Sequence, residues 1–148
     1  MATVKGTNRT FADTPTGSNI TDPGVLGGKL RTMMDTYEAD AIAIGTIIEM
    51  CKYLPKGARV LEIALTTDAL GSSVELIVGD YEDDNRYITA TGCNTANQVT
   101  RMNAIDGRQY KADETTPGAT STDRQIIITT SGAAASGTIK IEVTYTYE

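Results

Sequence analysis

The densest group of charged side chains in the sequence is residues 80–86, DYEDDNR, which bring Asp80, Asp83 and Asp84 close together along the chain. Hard cations such as calcium need several oxygen ligands at short range, and this segment offers them. It lacks the alternating acids, central glycine and late glutamate of an EF-hand loop. A charged turn that stays in water accounts for the same residues. We therefore predict no bound metal and keep the three aspartates as the alternative.

The sequence offers few candidates for catalysis. It has no histidine, which excludes Ser-His-Asp triads, Cys-His pairs and imidazole-bound zinc. A catalytic acid or base would have to be an Asp, Glu, Lys, Tyr or Cys whose pKa is shifted strongly toward neutral pH. A pair of carboxylates can hydrolyse a glycosidic bond. The candidates lie on the polar faces of predicted strands, where structural glutamates also lie: Glu49, Glu62, Glu75 and Glu142. Nothing in the sequence singles out a pair, and the chain has no tryptophan to stack a sugar. We therefore predict that the protein is not an enzyme and that it binds no cofactor.

The two cysteines, Cys51 and Cys93, are too few and too far apart for a zinc knuckle or an iron–sulfur centre. We expect free thiols, because a chain without a signal peptide or a membrane span is expected to stay in a reducing cytoplasm. A single bridge between the two cysteines stays open as an alternative.

The charge balance bears on the binding partners. Thirteen basic residues against 19 acidic ones give a formal net charge of -6, which repels phosphate backbones, so we predict no nucleic-acid partner. The first residues lack the basic start and apolar block of a signal peptide. No stretch approaches the ~20 apolar residues of a membrane span, and we expect no membrane association.

Residues 1–24 contain few large apolar side chains among Gly, Pro, Asn, Asp, Thr and Ser. Such a segment cannot build a core, and we predict an extended N-terminal arm. It is either a disordered tail or a strap that orders on a neighbouring subunit. In the second case the candidate partner-binding residues are Val4, Arg9, Phe11 and Ile20.

Residues 25–148 read as one β domain. The clearest strand is residues 139–147, in which apolar and polar residues alternate with the period of two typical of an antiparallel strand with one wet face. Residues 58–67 place Leu61, Ile63 and Leu65 on one face. A competing prediction is a short helix around residues 37–42. The spacing of strands and turns predicts an all-β fold, an antiparallel β-sandwich or jelly-roll-like domain.

Several stretches carry a family likeness: MATVKGTNRT at residues 1–10, VLGGKLR at 25–31, LPKGARVL at 54–61, VELIVGD at 74–80 and RYITA at 86–90. With these the chain resembles small decoration or cement proteins of tailed-bacteriophage heads. The resemblance implies a non-enzymatic virion protein with a jelly-roll-like fold. It also implies two partners, the major capsid protein and copies of the chain itself in a homotrimer. The expected location is the capsid surface, after synthesis in the host bacterial cytoplasm.

Two other classes of protein stay open. The same β body could serve in another virion component, such as a head fibre or a tail protein. A carbohydrate- or calcium-binding β module is the third possibility, and residues 80–84 are its only support in the sequence.

Overall fold

The structure is a computed structural model, and it describes residues 28–51, 54–105, 107, 110–112 and 124–147. These residues form eight β-strands: β1 Leu30–Ile42, β2 Ile47–Met50, β3 Arg59–Thr67, β4 Glu75–Gly79, β5 Ile88–Gly92, β6 Gln98–Arg101, β7 Ile126–Ser131 and β8 Ala135–Thr146. The all-β prediction is confirmed. In the part of the chain that is described, no helix is long and apolar enough to span a membrane.

The strands make two four-stranded antiparallel sheets. Sheet 1 has the order β1-β8-β3-β6, and sheet 2 has the order β2-β7-β4-β5. Each strand of the first half pairs with its counterpart counted from the end: β1 with β8, β2 with β7, β3 with β6 and β4 with β5. The chain is thus a long hairpin rolled into two layers. This is the connectivity of an eight-stranded jelly roll.

The core lies between the two sheets. In β8 the predicted alternation holds, because Ile139, Ile141, Val143 and Tyr145 are all buried. They meet buried aliphatic side chains of both sheets in a single cluster. Burying each of these side chains stabilises the fold by roughly 1.5–3 kcal/mol relative to exposure.

Strand β3 departs from the predicted pattern at one position. Val60 pairs with Tyr145 and Glu62 with Thr144, so Leu61 is an extra residue in the ladder. A bulge of this kind shifts the side chains before it to the opposite face. Val60 is therefore fully buried with Ile63 and Leu65, whereas Leu61 is only partly buried. The prediction that Leu61 shares a face with Ile63 and Leu65 was wrong for this reason.

The alternative of a helix at residues 37–42 was also wrong, because these residues are the end of β1. The strand bulges between Ala39 and Ile42, where Ala41 takes a φ of 48°. The backbone N–H of Ala41 donates to Ser136 Oγ at 3.0 Å. That hydrogen bond gives the bulged residue a partner in place of the β-ladder.

Side chains close the two open sides of the sandwich. At one side, Asp35 of β1 accepts a hydrogen bond from the backbone N–H of Cys51, just after β2, at 2.6 Å. At the other side, the hydroxyls of Thr91 in β5 and Thr100 in β6 lie 3.4 Å apart. Hydrogen bonds by side chains therefore join the two sheets at both margins of the sandwich.

Candidate interaction surfaces

The acidic loop at residues 80–86 is built around a buried carboxylate. Asp80 is only 1% exposed, and its Oδ2 lies 2.6 Å from Arg86 Nε. Its Oδ1 accepts hydrogen bonds from the backbone N–H groups of Glu82 and Asp83, both at 3.0 Å. Burial raises the pKa of the Asp80 carboxyl, while Arg86 and the two N–H donors act to lower it. Asp80 therefore holds its own loop together.

Arg86 connects this loop to a distant part of the chain. Its guanidinium carbon lies 3.7 Å from the ring centroid of Tyr110, a close cation–π contact. The Tyr110 hydroxyl donates to Glu82 Oε2 at 2.8 Å, and Arg86 Nη2 lies 3.3 Å from the same oxygen. Burial and the hydrogen bond to Glu82 raise the pKa of Tyr110 to about 12. Two acids, one base and one phenol thus satisfy one another.

This arrangement bears on the three aspartates considered as cation ligands. Both carboxylate oxygens of Asp80 are occupied by protein donors, and Asp83 turns one oxygen toward the backbone N–H of Asn85. Asp84 is exposed at the tip of the loop. Within the described residues, no group of three or more His, Cys, Asp or Glu side chains is placed to hold a metal ion. The geometry favours a structural loop.

The loop also covers part of the outer face of sheet 2. Glu49, Ile127 and Gly79 form one cross-strand row on that face. The Tyr81 hydroxyl donates to Glu49 Oε1 at 2.7 Å. Because Tyr81 follows Gly79 by two residues, its side chain reaches across the row from the Gly79 end to Glu49. Ile127 lies between them and is 2% exposed although it points away from the core. The outer face of sheet 2 is therefore partly occupied by the protein itself.

The outer face of sheet 1 is different. Its central row consists of Met34, Glu142, Ala64 and Arg101, one residue from each strand. The next row consists of Thr36, Lys140, Thr66 and Val99. We call these two rows the sheet 1 patch.

Most of the sheet 1 patch is exposed to solvent. Met34 is 75% exposed and Val99 is 54% exposed, and the side chains of Lys140 and Glu142 also lie in solvent. The short side chains of Ala64 and Thr66 leave an open depression beside Met34, Lys140 and Glu142. Apolar groups and charges of both signs thus lie together on an accessible face.

Other exposed apolar residues lie along and beside β1 and β2. Leu30 is 68% exposed at the start of β1, Ile44 is 61% exposed in the turn after it, and Ile47 is 49% exposed in β2. Strand β1 is at the edge of sheet 1 among the described strands. Long edge strands with exposed apolar residues are contact sites unless something covers them.

The two cysteines are free thiols in the structure, as expected. Cys93 is buried, and Cys51 is half-buried with a φ of 62°. Burial and the nearby Asp35 carboxylate raise the pKa of the Cys51 thiol to about 11. A thiol with such a pKa is a poor nucleophile near neutral pH.

The remaining predicted site residues, Val4, Arg9, Phe11 and Ile20, lie outside the described residues, and so does the whole of the predicted arm at 1–24. The sequence reasoning did not single out the sheet 1 patch. One signal for it was present, because Lys140 and Glu142 were placed on the wet face of the last strand. Its other members come from three strands that only the topology brings together.

No family model and no curated protein sequence matches this chain. The fold is similar to that of a chain in the capsid asymmetric unit of cyanophage Pam1, with a TM-score of 0.66 and 22% identity over 83% of this chain and 88% of that chain. A chain of the Ralstonia phage GP4 capsid gives a TM-score of 0.60 and 21% identity over 82% of this chain and 86% of that chain. The acid-stable capsid of the Helicobacter pylori bacteriophage KHP30 contains a third similar chain, with a TM-score of 0.56 and 13% identity over 80% of this chain and 87% of that chain.

The predicted resemblance to phage head proteins is therefore confirmed as a likeness of fold. It covers most of the described domain and most of each capsid chain.

Proposed function

We propose that the protein is a non-enzymatic cement or decoration protein that binds and stabilises a bacteriophage capsid shell. The observation that carries the proposal is the shared fold: at least 80% of this chain superposes on chains found in three phage capsids. The partners are then the major capsid protein and copies of the chain itself, as a homotrimer on the capsid surface. Synthesis takes place in the host bacterial cytoplasm.

The physical character of the domain supports this role. A cement protein must transmit load between shell subunits, which favours a rigid body with large accessible contact areas. The jelly roll supplies the rigid body, because nearly every strand pairing joins residues far apart in the sequence. The sheet 1 patch and the exposed apolar residues Leu30, Ile44 and Ile47 supply contact areas.

The predicted N-terminal arm completes the proposal. Residues 1–24 precede β1, and about 20 extended residues reach up to roughly 65 Å. Val4, Arg9, Phe11 and Ile20 are the residues through which the arm contacts a neighbouring shell subunit. Ordering the arm costs conformational entropy, which is tolerable when many identical copies bind one shell at once.

The direct experiment uses shells assembled from the major capsid protein encoded in the same genome. Purified protein is mixed with these shells, and bound protein is measured by co-sedimentation. We expect saturable binding and a higher shell disruption temperature. Because a large aromatic side chain that anchors an interface contributes much of its binding energy, Phe11→Ala should weaken binding by about tenfold or more, whereas the matched control Thr14→Ala should leave it unchanged.

If no protein sedimented with the shells even at a large molar excess of protein, the cement function would be refuted. In that case, particles imaged by cryo-electron microscopy would show whether the protein occupies a head fibre or the tail. Those were the other virion locations considered from the sequence.

A further inference from the structure

We propose that the sheet 1 patch is a two-fold contact between two copies of this chain, in which Lys140 of each copy faces Glu142 of the other. This contact is independent of shell binding. It requires only that two domains meet through the outer faces of their first sheets. The occupant is a second copy, and the charge pattern of the patch supports this choice.

The pattern begins with β8, an interior strand of sheet 1. Lys140 and Glu142 are two residues apart on β8, so both side chains project from the same outer face. Both are exposed, and among described residues neither one forms an ion pair. Two opposite charges are therefore held side by side on a flat face without compensation from the described part of the domain.

Symmetry selects how two such faces can meet. A two-fold axis that lies in the interface along β8 would place Lys140 on Lys140 and Glu142 on Glu142. A two-fold axis that crosses β8 over Ile141 instead places each lysine on a glutamate. Like charges directly opposite one another are unfavourable, and complementary ones set the register of an interface. The charges thus favour the second arrangement, an isologous contact.

The neighbours of this pair suit the same arrangement. Crossing β8, the axis exchanges the two rows of the patch, so Met34 lies over Thr36, Ala64 over Thr66 and Arg101 over Val99 of the other copy. The short side chains of Ala64 and Thr66 let the two faces approach. Met34 and Val99, 75% and 54% exposed, lose contact with water there. No member of the central row meets a like charge.

The size of the face sets the expected strength. The four strands of sheet 1 have 13, 12, 9 and 4 residues. They average about 31 Å in length and lie about 4.8 Å apart, which gives the whole outer face an area of roughly 600 Å² per copy. Two copies that meet over the whole face would then bury about 1,200 Å², near the lower limit for specific protein–protein contacts. We therefore expect a weak contact that forms at high protein concentration. If the basic unit is a trimer, the same contact joins two trimers.

The experiment is a charge exchange followed by analytical ultracentrifugation from micromolar to millimolar concentration. We expect the wild-type mass to rise with concentration to twice that of the basic unit. Lys140→Glu alone and Glu142→Lys alone should each stay at half of that mass, because each variant presents like charges to itself. An equimolar mixture of the two variants should restore the doubled mass, and so should the double variant Lys140→Glu/Glu142→Lys.

Matched controls change the same charge elsewhere on the surface. Lys56→Glu lies in an exposed turn and Asp84→Lys lies at the tip of the acidic loop, and both should behave like wild type. Unchanged circular dichroism spectra show that every variant is folded. A wild-type mass that does not rise with concentration would overturn the proposal. Single variants that still double, or a mixture that fails to do so, would overturn it too. Shell binding is measured separately, so either proposal can fail alone.

Discussion

The outer faces of the two sheets use their charged residues in opposite ways. On sheet 2, the acidic loop covers part of the face, and four of its contacts join Asp80, Glu82, Arg86 and Tyr110 to one another. On sheet 1, Lys140 and Glu142 lie exposed in the middle of the face. The loop is the more conspicuous feature in the sequence, but the burial of Asp80 indicates a structural role. The plainer face is the one available to a partner.

The largest effect is expected at the buried carboxylate. Asp80→Ala leaves Arg86 without its closest partner and removes the acceptor for two backbone N–H groups. Breaking a buried ion pair in this way costs about 3–5 kcal/mol in the free energy of unfolding. Urea unfolding measures it. The control Asp84→Ala, four residues along in the same loop, should change stability by less than about 0.5 kcal/mol. Equal effects of the two variants would mean that the loop is a solvated turn.

The second effect tests how tightly the loop is folded onto sheet 2. A side chain at Gly79 would collide with the backbone carbonyl of Asp83, which cannot move without opening the loop. Gly79→Ala should therefore lower stability by about 1–3 kcal/mol, as overpacking does elsewhere. Gly92→Ala, in the neighbouring strand, meets nothing within 4 Å and is the matched control. A neutral Gly79→Ala would show that the loop can be displaced.

The third effect is a pH dependence carried by Tyr110. Its pKa is about 12 in the folded protein against 10 for an ordinary tyrosine, so the folded state keeps this proton longer. The stabilisation is fully present below pH 10 and is lost as the pH rises from 10 toward 12. The difference in urea midpoint between wild type and Tyr110→Phe should therefore fall across this range. A difference that stays constant to pH 11.5 would contradict both the burial of the Tyr110 phenol and its hydrogen bond to Glu82.

The smallest effect on stability is expected on sheet 1. Lys140→Glu and Glu142→Lys alter exposed side chains, and each should change the unfolding free energy by no more than about 0.5 kcal/mol. Their effect should appear only in self-association. If either variant destabilised the isolated domain as much as Asp80→Ala, the contrast between the two faces would be lost. Urea unfolding at low protein concentration makes the measurement.

The strand content of this fold could be predicted from the sequence because side-chain alternation is local. In β8 the alternation of residues 139–145 specifies both the strand and its buried face. The same reasoning failed at Leu61 because a bulge adds one residue without any mark in the hydrophobic pattern. It left a helix open at residues 37–42, where Ala41 adopts a positive φ that its residue type does not signal.

The candidate surfaces were harder to predict because they depend on contacts between distant residues. Asp80 was noticed as an acidic residue, but its burial depends on Tyr110 and Arg86 closing the loop. The sheet 1 patch draws Met34, Ala64, Val99 and Lys140 from four strands, and only the strand order makes them neighbours. Local pattern identifies which residues are exposed, and the topology determines which exposed residues share a surface.

A cryo-electron microscopy reconstruction of particles that carry the protein would test both proposals at once. We expect the β domain on the outside of the capsid shell, with Lys140 and Glu142 of the sheet 1 patch buried against a second copy and the tip of the acidic loop at Asp84 in solvent. A domain located in the tail would contradict the proposed function. A sheet 1 patch open to solvent, with the acidic loop as the contact, would contradict the contrast between the two faces.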